Sequence, residues 1–486
     1  MPSGKIAVNE NENNIIQYLH DIGCASVRAK VDINIRNRRA RADFVGFIID
    51  ENGKSVPKVV VEVKTKPDPT IQQQLYEYAK VLDCPYVLLV INKDKYWFDG
   101  KTLLPILEAP TFESKSRYIE DGKEIKNKLS YSLGLILDGN KGKLISLPKA
   151  LAFFSSGLLI RAFLEESEEH DISEWLKIET ERQYRDLFYQ AITFFGLGEG
   201  LSIEELPITI EQWITQLIEI PPFHRSLSEA VLSLIHDLLA REGRNGEYVS
   251  PQHIRNTFKD IIGGLNVSGE KAIDLAVGYS SISFDIYAND LIDVKSFEGY
   301  EIVSEVCMIS QVISIISGFR HLKYVCADSL LLEGIEHEGE YSLVVIDPPL
   351  GGKTRDNVEY NKFELRNRSL NVRISDLMIE QGLILARPGG YIVTLVPEGT
   401  LFSSGSSGFI REMIKEFAIV EGIISLPAHT MKPFASVKVS ILILRKKKEV
   451  TETAKELFLG NPKSVEDIPD IIKNFHNWRR KEVEEV

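Results

Sequence analysis

Cysteine is scarce in this chain, positive charge is not in excess, and long hydrophobic runs are missing. The four cysteines, Cys24, Cys84, Cys307 and Cys326, show neither the close pairs of a zinc site nor the density of a disulfide scaffold. A reducing, cytoplasmic setting is therefore the expectation. No apolar run approaches membrane-spanning length and the N-terminus carries no secretion signal, so no membrane partner is expected. With 57 Lys and Arg against 70 Asp and Glu, the net charge is −13. That excludes a general nucleic-acid coat, and DNA contact has to come from local basic patches. An ATP-driven motor is missing too. Gly351-Gly352-Lys353-Thr354 ends like a phosphate loop, but Asp347 stands where the pattern needs its first glycine.

What is present organises around Tyr341 to Lys353, YSLVVIDPPLGGK. Leu343 to Ile346 is short enough for a buried strand. Asp347-Pro348-Pro349 then ends it, because two prolines cannot continue a ladder. Asp347 and nearby carbonyls are left at the carboxyl end of a strand, where open α/β sheets bind ligands. Upstream, KAIDLAVG from Lys271 to Gly278 reads as a strand running into a glycine turn, the device that brings backbone close to a nucleoside cofactor. Glu301 closes the next strand candidate, where a carboxylate accepts from ribose hydroxyls, and the helix Ser304 to Ile316 follows. Asp328 closes the strand after that. GEYVSP, with Tyr248, Ser250 and Pro251, precedes all of these, and Ser250-Pro251 is a good helix start. Gly399 to Gly408, rich in serine and glycine, reads as a mobile loop near the site.

The N-terminal stretch has a different pattern. KVVVEVK, Lys58 to Lys64, alternates as a strand, with Val60, Glu62 and Lys64 on one face. Asp43 lies in the preceding strand, and a helix from Thr70 to Leu82 carries Gln74. Two carboxylates on neighbouring strands suit Mg²⁺, which takes oxygen ligands. Arg28, Lys30, Arg36, Arg38, Arg39 and Arg41 precede Asp43 and can grip phosphates. Residues 111–146 are a charged loop with a short apolar stretch. Helical periods then dominate: Leu151 to Leu164, Ile172 to Phe195, Thr209 to Ile220, and Ser226 to Arg241 opened by a Ser226/Glu229 capping box.

Asp347-Pro348-Pro349-Leu350 resembles the (D/N)PP(Y/F) motif of amino-group DNA methyltransferases. With Gly351-Gly352-Lys353 it resembles the modification subunit of type I restriction systems, a resemblance covering about residues 226–480. It implies S-adenosylmethionine held by Tyr248, Ser250, Pro251, Asp274, Ala276, Gly278, Glu301, Asp328 and Asp347. Asp347, Pro348, Pro349 and Leu350 would then hold a flipped adenine. Leu350 departs from the aromatic of that motif, and Tyr279 and Ser280 depart from its glycine turn. Residues 1–105 resemble the PD-(D/E)xK nuclease domain of type I restriction subunits. That implies catalysis by Asp43, Glu62, Lys64 and Gln74, with Mg²⁺ on Glu12, Asp43 and Glu62.

The expected fold class is α/β in three parts. They are a nuclease-like domain at 1–110, a mainly helical connector at 111–245 and a Rossmann-like methyltransferase domain at 246–486. The expected function is restriction-modification: Mg²⁺-dependent DNA cleavage combined with N6-adenine methylation, on double-stranded DNA, with a separate specificity subunit as partner. Two alternatives are an active nuclease whose methyltransferase module is a binding scaffold, and a non-enzymatic assembly factor of a defence system.

Overall fold

The structure is a computed structural model. It describes residues 15–484 except 16, 17, 20, 25, 36, 37, 50–54, 65, 67–70, 92, 93, 113–117, 120, 140–145, 198–202, 204, 205, 243–248, 320, 333–337, 351–359, 361, 369–371, 433–436, 454 and 455. Glu12, Tyr248 and Gly351 to Lys353 therefore lie outside the described residues, as do the side chains of Arg28, Lys30, Arg36, Arg38 and Arg39. The chain forms two compact units, Met1–Leu234 with Gln311–Arg320, and Ile235–Ser310 with His321–Val486. The N-terminal sheet and the helices up to residue 234, separate in the sequence reading, share the first unit.

That unit holds a sheet of β1 (Ser26–Ile35), β2 (Arg38–Ile49), β3 (Ser55–Lys64), β4 (Tyr86–Ile91), β5 (Asp94–Asp99) and β6 (Pro105–Ile106), in that order. Neighbours are antiparallel except β3 and β4, which run parallel because the helix Ile71–Val81 crosses between them. Valines on both faces of β3 are buried. Val59, Val61 and Val63 join Phe44, Leu88 and Trp97, while Val60 joins Val45, Leu75 and Tyr78. A strand covered on both sides reads as a valine run rather than a clean alternation.

The helical part corrects several sequence expectations. Residues 122–139 are one helix, Gly122–Gly139, not a loop with a short apolar stretch. The period from Ile172 to Phe195 is broken at Ile178, because Asp171 and Thr180 each form a capping box that starts its own helix. Ser226 does not open its helix either. The helix begins at Arg225, and the Ser226 N–H donates to His224 Nδ1 at 3.1 Å. Leu147–Glu166 is twenty residues long and apolar enough to cross a membrane, contrary to the expectation that no run is. It is buried from Ala150 to Glu165 within the unit, as a core helix is. Its Arg161 guanidinium lies 5.5 Å from the Trp175 ring and donates to the Ile220 carbonyl.

The second unit is a doubly wound sheet. Its strands are β7 (Ser268–Asp274), β8 (Asp293–Glu301), β9 (Leu322–Cys326), β10 (Tyr341–Ile346), β11 (Ala386–Pro397), β12 (Ala418–Ser425), β13 (Val439–Lys446) and β14 (Phe458–Gly460). They lie in the order β14-β12-β13-β11-β10-β7-β8-β9. β9, β8, β7, β10 and β11 are mutually parallel, and β13 is antiparallel to both neighbours. Winding reverses between β7 and β10, so their carboxyl ends flank the switch-point crevice where such sheets take ligands. One face packs Ile273, Val344, Ile346, Ile392 and Val396 against the helices Ile374–Leu385 and Ser406–Phe417.

Candidate functional site

Four carboxylates from the sequence reading arrive at the carboxyl edge of this sheet. Asp274 ends β7, Glu301 ends β8, Asp328 follows β9 and Asp347 follows β10. Asp274 is 2% exposed and accepts from the Ala276 N–H at 3.1 Å. Burial, with Asp347 and Glu301 adding to it, pushes its carboxyl up to about 8. Gly278 turns the chain with φ +54°, and a Cβ there would meet nothing within 4 Å. Its carbonyl accepts from Ser310 Oγ at 2.6 Å, which ties the turn to the helix Ser304–Ser317. Ser280, one of the departures from the glycine turn of the motif it resembles, is buried with φ +64°. That is left-handed backbone which a Cβ disfavours. Tyr279 beside it is buried as well.

Glu301 accepts twice from backbone, from Gly278 N–H at 3.1 Å and from Val303 N–H at 2.8 Å. Burial raises its carboxyl above the ordinary value. Asp328 accepts from Leu330 N–H at 2.9 Å and from the Tyr360 hydroxyl at 3.0 Å. Asp347 accepts from the Ser250 hydroxyl through Oδ2, while its buried Oδ1 has no partner among the described residues. Burial pushes Asp347 up to about 6, and the Ser250 bond opposes this. Ser250 is thus no helix cap. The helix Gln252–Gly263 starts one residue after Pro251, without a side-chain cap. Pro348 is buried, Pro349 is exposed and Leu350 is half-buried at the following turn.

Four supporting groups escaped the sequence reading. Asp376, fully buried, accepts from Thr400 Oγ1 at 3.2 Å, Ser406 Oγ at 3.1 Å and Ser407 Oγ at 3.2 Å. Arg411 donates to the Thr400 and Ser403 carbonyls at 2.7 and 2.8 Å. The Ser/Gly stretch is therefore pinned, with helical turns at Glu398–Phe402 and from Ser406 onward, rather than a mobile loop. Glu380, one turn after Asp376, accepts from the Glu364 and Leu365 N–H groups at 2.6 and 3.2 Å. Two acids four apart in an otherwise apolar helix were the available signal. Tyr360 sits behind Asp328 and had none. Nor do the cysteines stay apart: Cys307 and Cys326 form a disulfide with Cα atoms 5.5 Å apart, and Cys24 and Cys84 are buried outside any disulfide. The helix between β8 and β9 lays its first turn over the end of β9.

In the first unit, Asp43, Glu62 and Lys64 do meet. Asp43 Oδ2 accepts from the Val63 N–H at 2.8 Å, and Lys64 Nζ donates to Glu62 Oε2 at 2.6 Å. Glu62 is 1% exposed, and its Oε1 has no partner among the described residues. Burial first, and then Asp43, push Glu62 up to about 7. Gln74 donates to the Tyr78 hydroxyl, which in turn donates to the Arg41 carbonyl at 3.1 Å. Among the described residues, no group of three or more His, Cys, Asp or Glu is placed to hold a metal ion.

The order of the strands and the row of carboxylates at the switch point define the second unit as an α/β methyltransferase fold. Residues 227–485 match the family model for N-6 DNA methylase. The chain belongs to the N-6 DNA methylase family. It is 26% identical over 301 residues to the methylase subunit of the type I restriction enzyme EcoEI of Escherichia coli, covering 57% of this chain and 57% of that protein. The chain thus spans little more than half the length of that curated relative. The type I restriction-modification methyltransferase subunit of Streptococcus thermophilus superposes with a TM-score of 0.53 at 15% identity, covering 74% of this chain and 94% of its own. The type IIG restriction endonuclease BpuSI superposes with a TM-score of 0.50 at 16% identity, covering 97% of this chain and 60% of its own.

Proposed function

We propose that the second unit transfers a methyl group from S-adenosylmethionine to the exocyclic amino group of adenine in double-stranded DNA. The observation that carries this is Asp347: a carboxylate at the switch point with one oxygen oriented by Ser250 and the other without a partner among the described residues. The residues fit the cofactor. Gly278 leaves open space where a Cβ would stand, and Glu301 and Asp328 retain acceptor capacity on successive strand ends. When bound, S-adenosylmethionine supplies an electrophilic methyl group. The chain's own part is to hold the amino nitrogen. Asp347 Oδ1 and the Pro348 carbonyl accept its two N–H groups, which leaves the nitrogen lone pair directed outward. Adenine reaches this site only when flipped from the duplex. A separate specificity subunit would choose the target, as in systems that house such methylase subunits. The test is tritiated methyl incorporation into duplex DNA. Labelling that persists in Asp347→Ala would refute the assignment.

A second reading rests on the first unit. Asp43 acts electrostatically on Glu62, and Glu62 Oε1, beside Lys64, has no partner among the described residues; this arrangement fits an Mg²⁺-dependent nuclease site. Oxygen ligands on adjacent strands suit that cation, and Lys64 is placed to stabilise charge developing on a phosphate. If both readings hold, one chain cuts and methylates DNA. If only this one holds, the methylase unit is a DNA- or partner-binding scaffold. Mg²⁺-dependent nicking of plasmid DNA, lost in Glu62→Gln, tests it.

A further inference from the structure

A cavity of about 650 Å³ lies at the opposite edge of the second unit's sheet, where β7, β10 and β11 begin. Residues 264–268 form one wall, and Ser342, Arg387, Tyr391, His476, Arg479 and Arg480 line the rest. Among the described residues, no carboxylate lines it. Arg479 is structural. It donates to Glu421 Oε2 and to the Gly264 carbonyl, each at 3.1 Å, and to the Tyr391 hydroxyl. Arg387 uses one nitrogen on the Ser268 carbonyl at 2.7 Å.

Three polar atoms in this lining are buried with no partner among the described residues: Ser342 Oγ, Arg387 Nε and His476 Nδ1. Ser342 is 2% exposed. Native proteins seldom leave such atoms unpaired, and three in one cavity need a common cause. His476 Nε2 lies 2.9 Å from the Asp260 carbonyl, so its hydrogen is assigned there and Nδ1 presents a lone pair. Glycine makes the room. A Cβ on Gly269, where φ is +150°, would lie 2.1 Å from Ser342 Oγ, and one on Gly264 would lie 2.1 Å from the His476 ring. His476 and Arg480 also border a neighbouring cavity of about 610 Å³, where Lys259 and Lys473 add positive charge against the single carboxylate of Asp260.

We propose that this cavity is a second ligand site, distinct from the methyl-transfer site, for a small molecule carrying two or more phosphoryl groups. Phosphoryl oxygens accept from Ser342 Oγ and from Arg387, whose planar fork matches an oxyanion. Arg480 supplies the next charge toward the second cavity, and a ligand hydroxyl donates to His476 Nδ1. The volume lies within the range of ordinary small-molecule sites.

Calorimetry on the full chain tests this with inorganic pyrophosphate and with uridine diphosphate, which offers no adenine to the carboxylates at the other edge. Both probes are expected to bind. Arg387→Gln should weaken each by about tenfold, the scale of one charge-assisted hydrogen bond. Ser342→Ala should weaken each by a smaller factor with the melting midpoint unchanged. Tighter binding of uridine diphosphate than of pyrophosphate would support a nucleotide as the ligand. Equal binding would support recognition of the phosphoryl groups alone. Absence of heat with either probe at millimolar concentration overturns the proposal. So does binding that survives both Arg387→Gln and the exposed Arg480→Gln. A short DNA duplex that loses affinity in these variants while pyrophosphate does not bind would replace it with a nucleic-acid surface.

Discussion

Ser250 and Asp347 stand 97 residues apart, and the Ser250 hydroxyl donates to the carboxylate that follows β10. This bond opposes the burial that raises Asp347 to about 6. A carboxyl raised in the fold holds its proton as pH falls through that value, so methyl transfer should show an acid limb near pH 6. Ser250→Ala should move the limb upward and slow transfer at pH 6 by about tenfold or more, since a hydrogen bond to a charged group contributes roughly 1.5–3 kcal/mol. A pH profile unchanged by the substitution would separate the two residues functionally. The stability sign follows the same shift. The raised value favours the fold most below the ordinary carboxylate range, and that contribution is lost as pH rises through about 6.

Under the proposed methyl-transfer function, Leu350 stands where the motif it resembles carries a base-stacking aromatic. Leu350→Phe should restore a stack of about 1–3 kcal/mol. Methylation of duplex DNA should then rise about fivefold or more. An unchanged or lower rate would show that the half-buried position accommodates leucine for another reason.

Glu62 couples the nuclease reading to pH. A cation needs the ionised form, so Mg²⁺-dependent cleavage should rise as pH increases through about 7. Glu62→Gln should abolish it. The same substitution removes a buried ionisable group, so the melting midpoint at pH 8 should hold or rise. A falling midpoint would mean that the pair with Lys64 is mainly structural.

Asp376 holds three hydroxyls from the Thr400 to Ser407 segment. Asp376→Ala leaves all three unpaired and should cost about 2–4 kcal/mol, at roughly 1 kcal/mol per bond plus a cavity. Urea denaturation measures this. Protease cleavage within 399–408 should also become faster than in the parent chain.

Thiol titration checks the cysteines. Unfolded without reductant, the chain should show two reactive thiols, Cys24 and Cys84, and after reduction four. Four before reduction would mean that Cys307 and Cys326 are neighbours without a bond.

Much of the fold was legible in short stretches. The valine run of β3, the prolines after β10, the glycine turn after β7 and the acids at four strand ends are local patterns. Their spacing follows from the two-residue strand repeat and from the stereochemistry of proline and glycine. Asp43, Glu62 and Lys64 lie within 22 residues, so register alone brings them together. Other features depend on strand order and on which helix covers which edge. The Ser250 hydroxyl turns to Asp347 instead of capping its helix because β10 lies beside β7 at the switch point. The Asp376 network and the Cys307–Cys326 bond join segments that no local pattern links. The cavity around Ser342 and Arg387 exists because the final helix, Ile468–Glu484, returns to the amino edge of β7. The sequence by itself determined the elements and the chemistry placed at their ends. Only the tertiary structure decided which distant side chains share a buried space, because that depends on long-range packing rather than on neighbours along the chain.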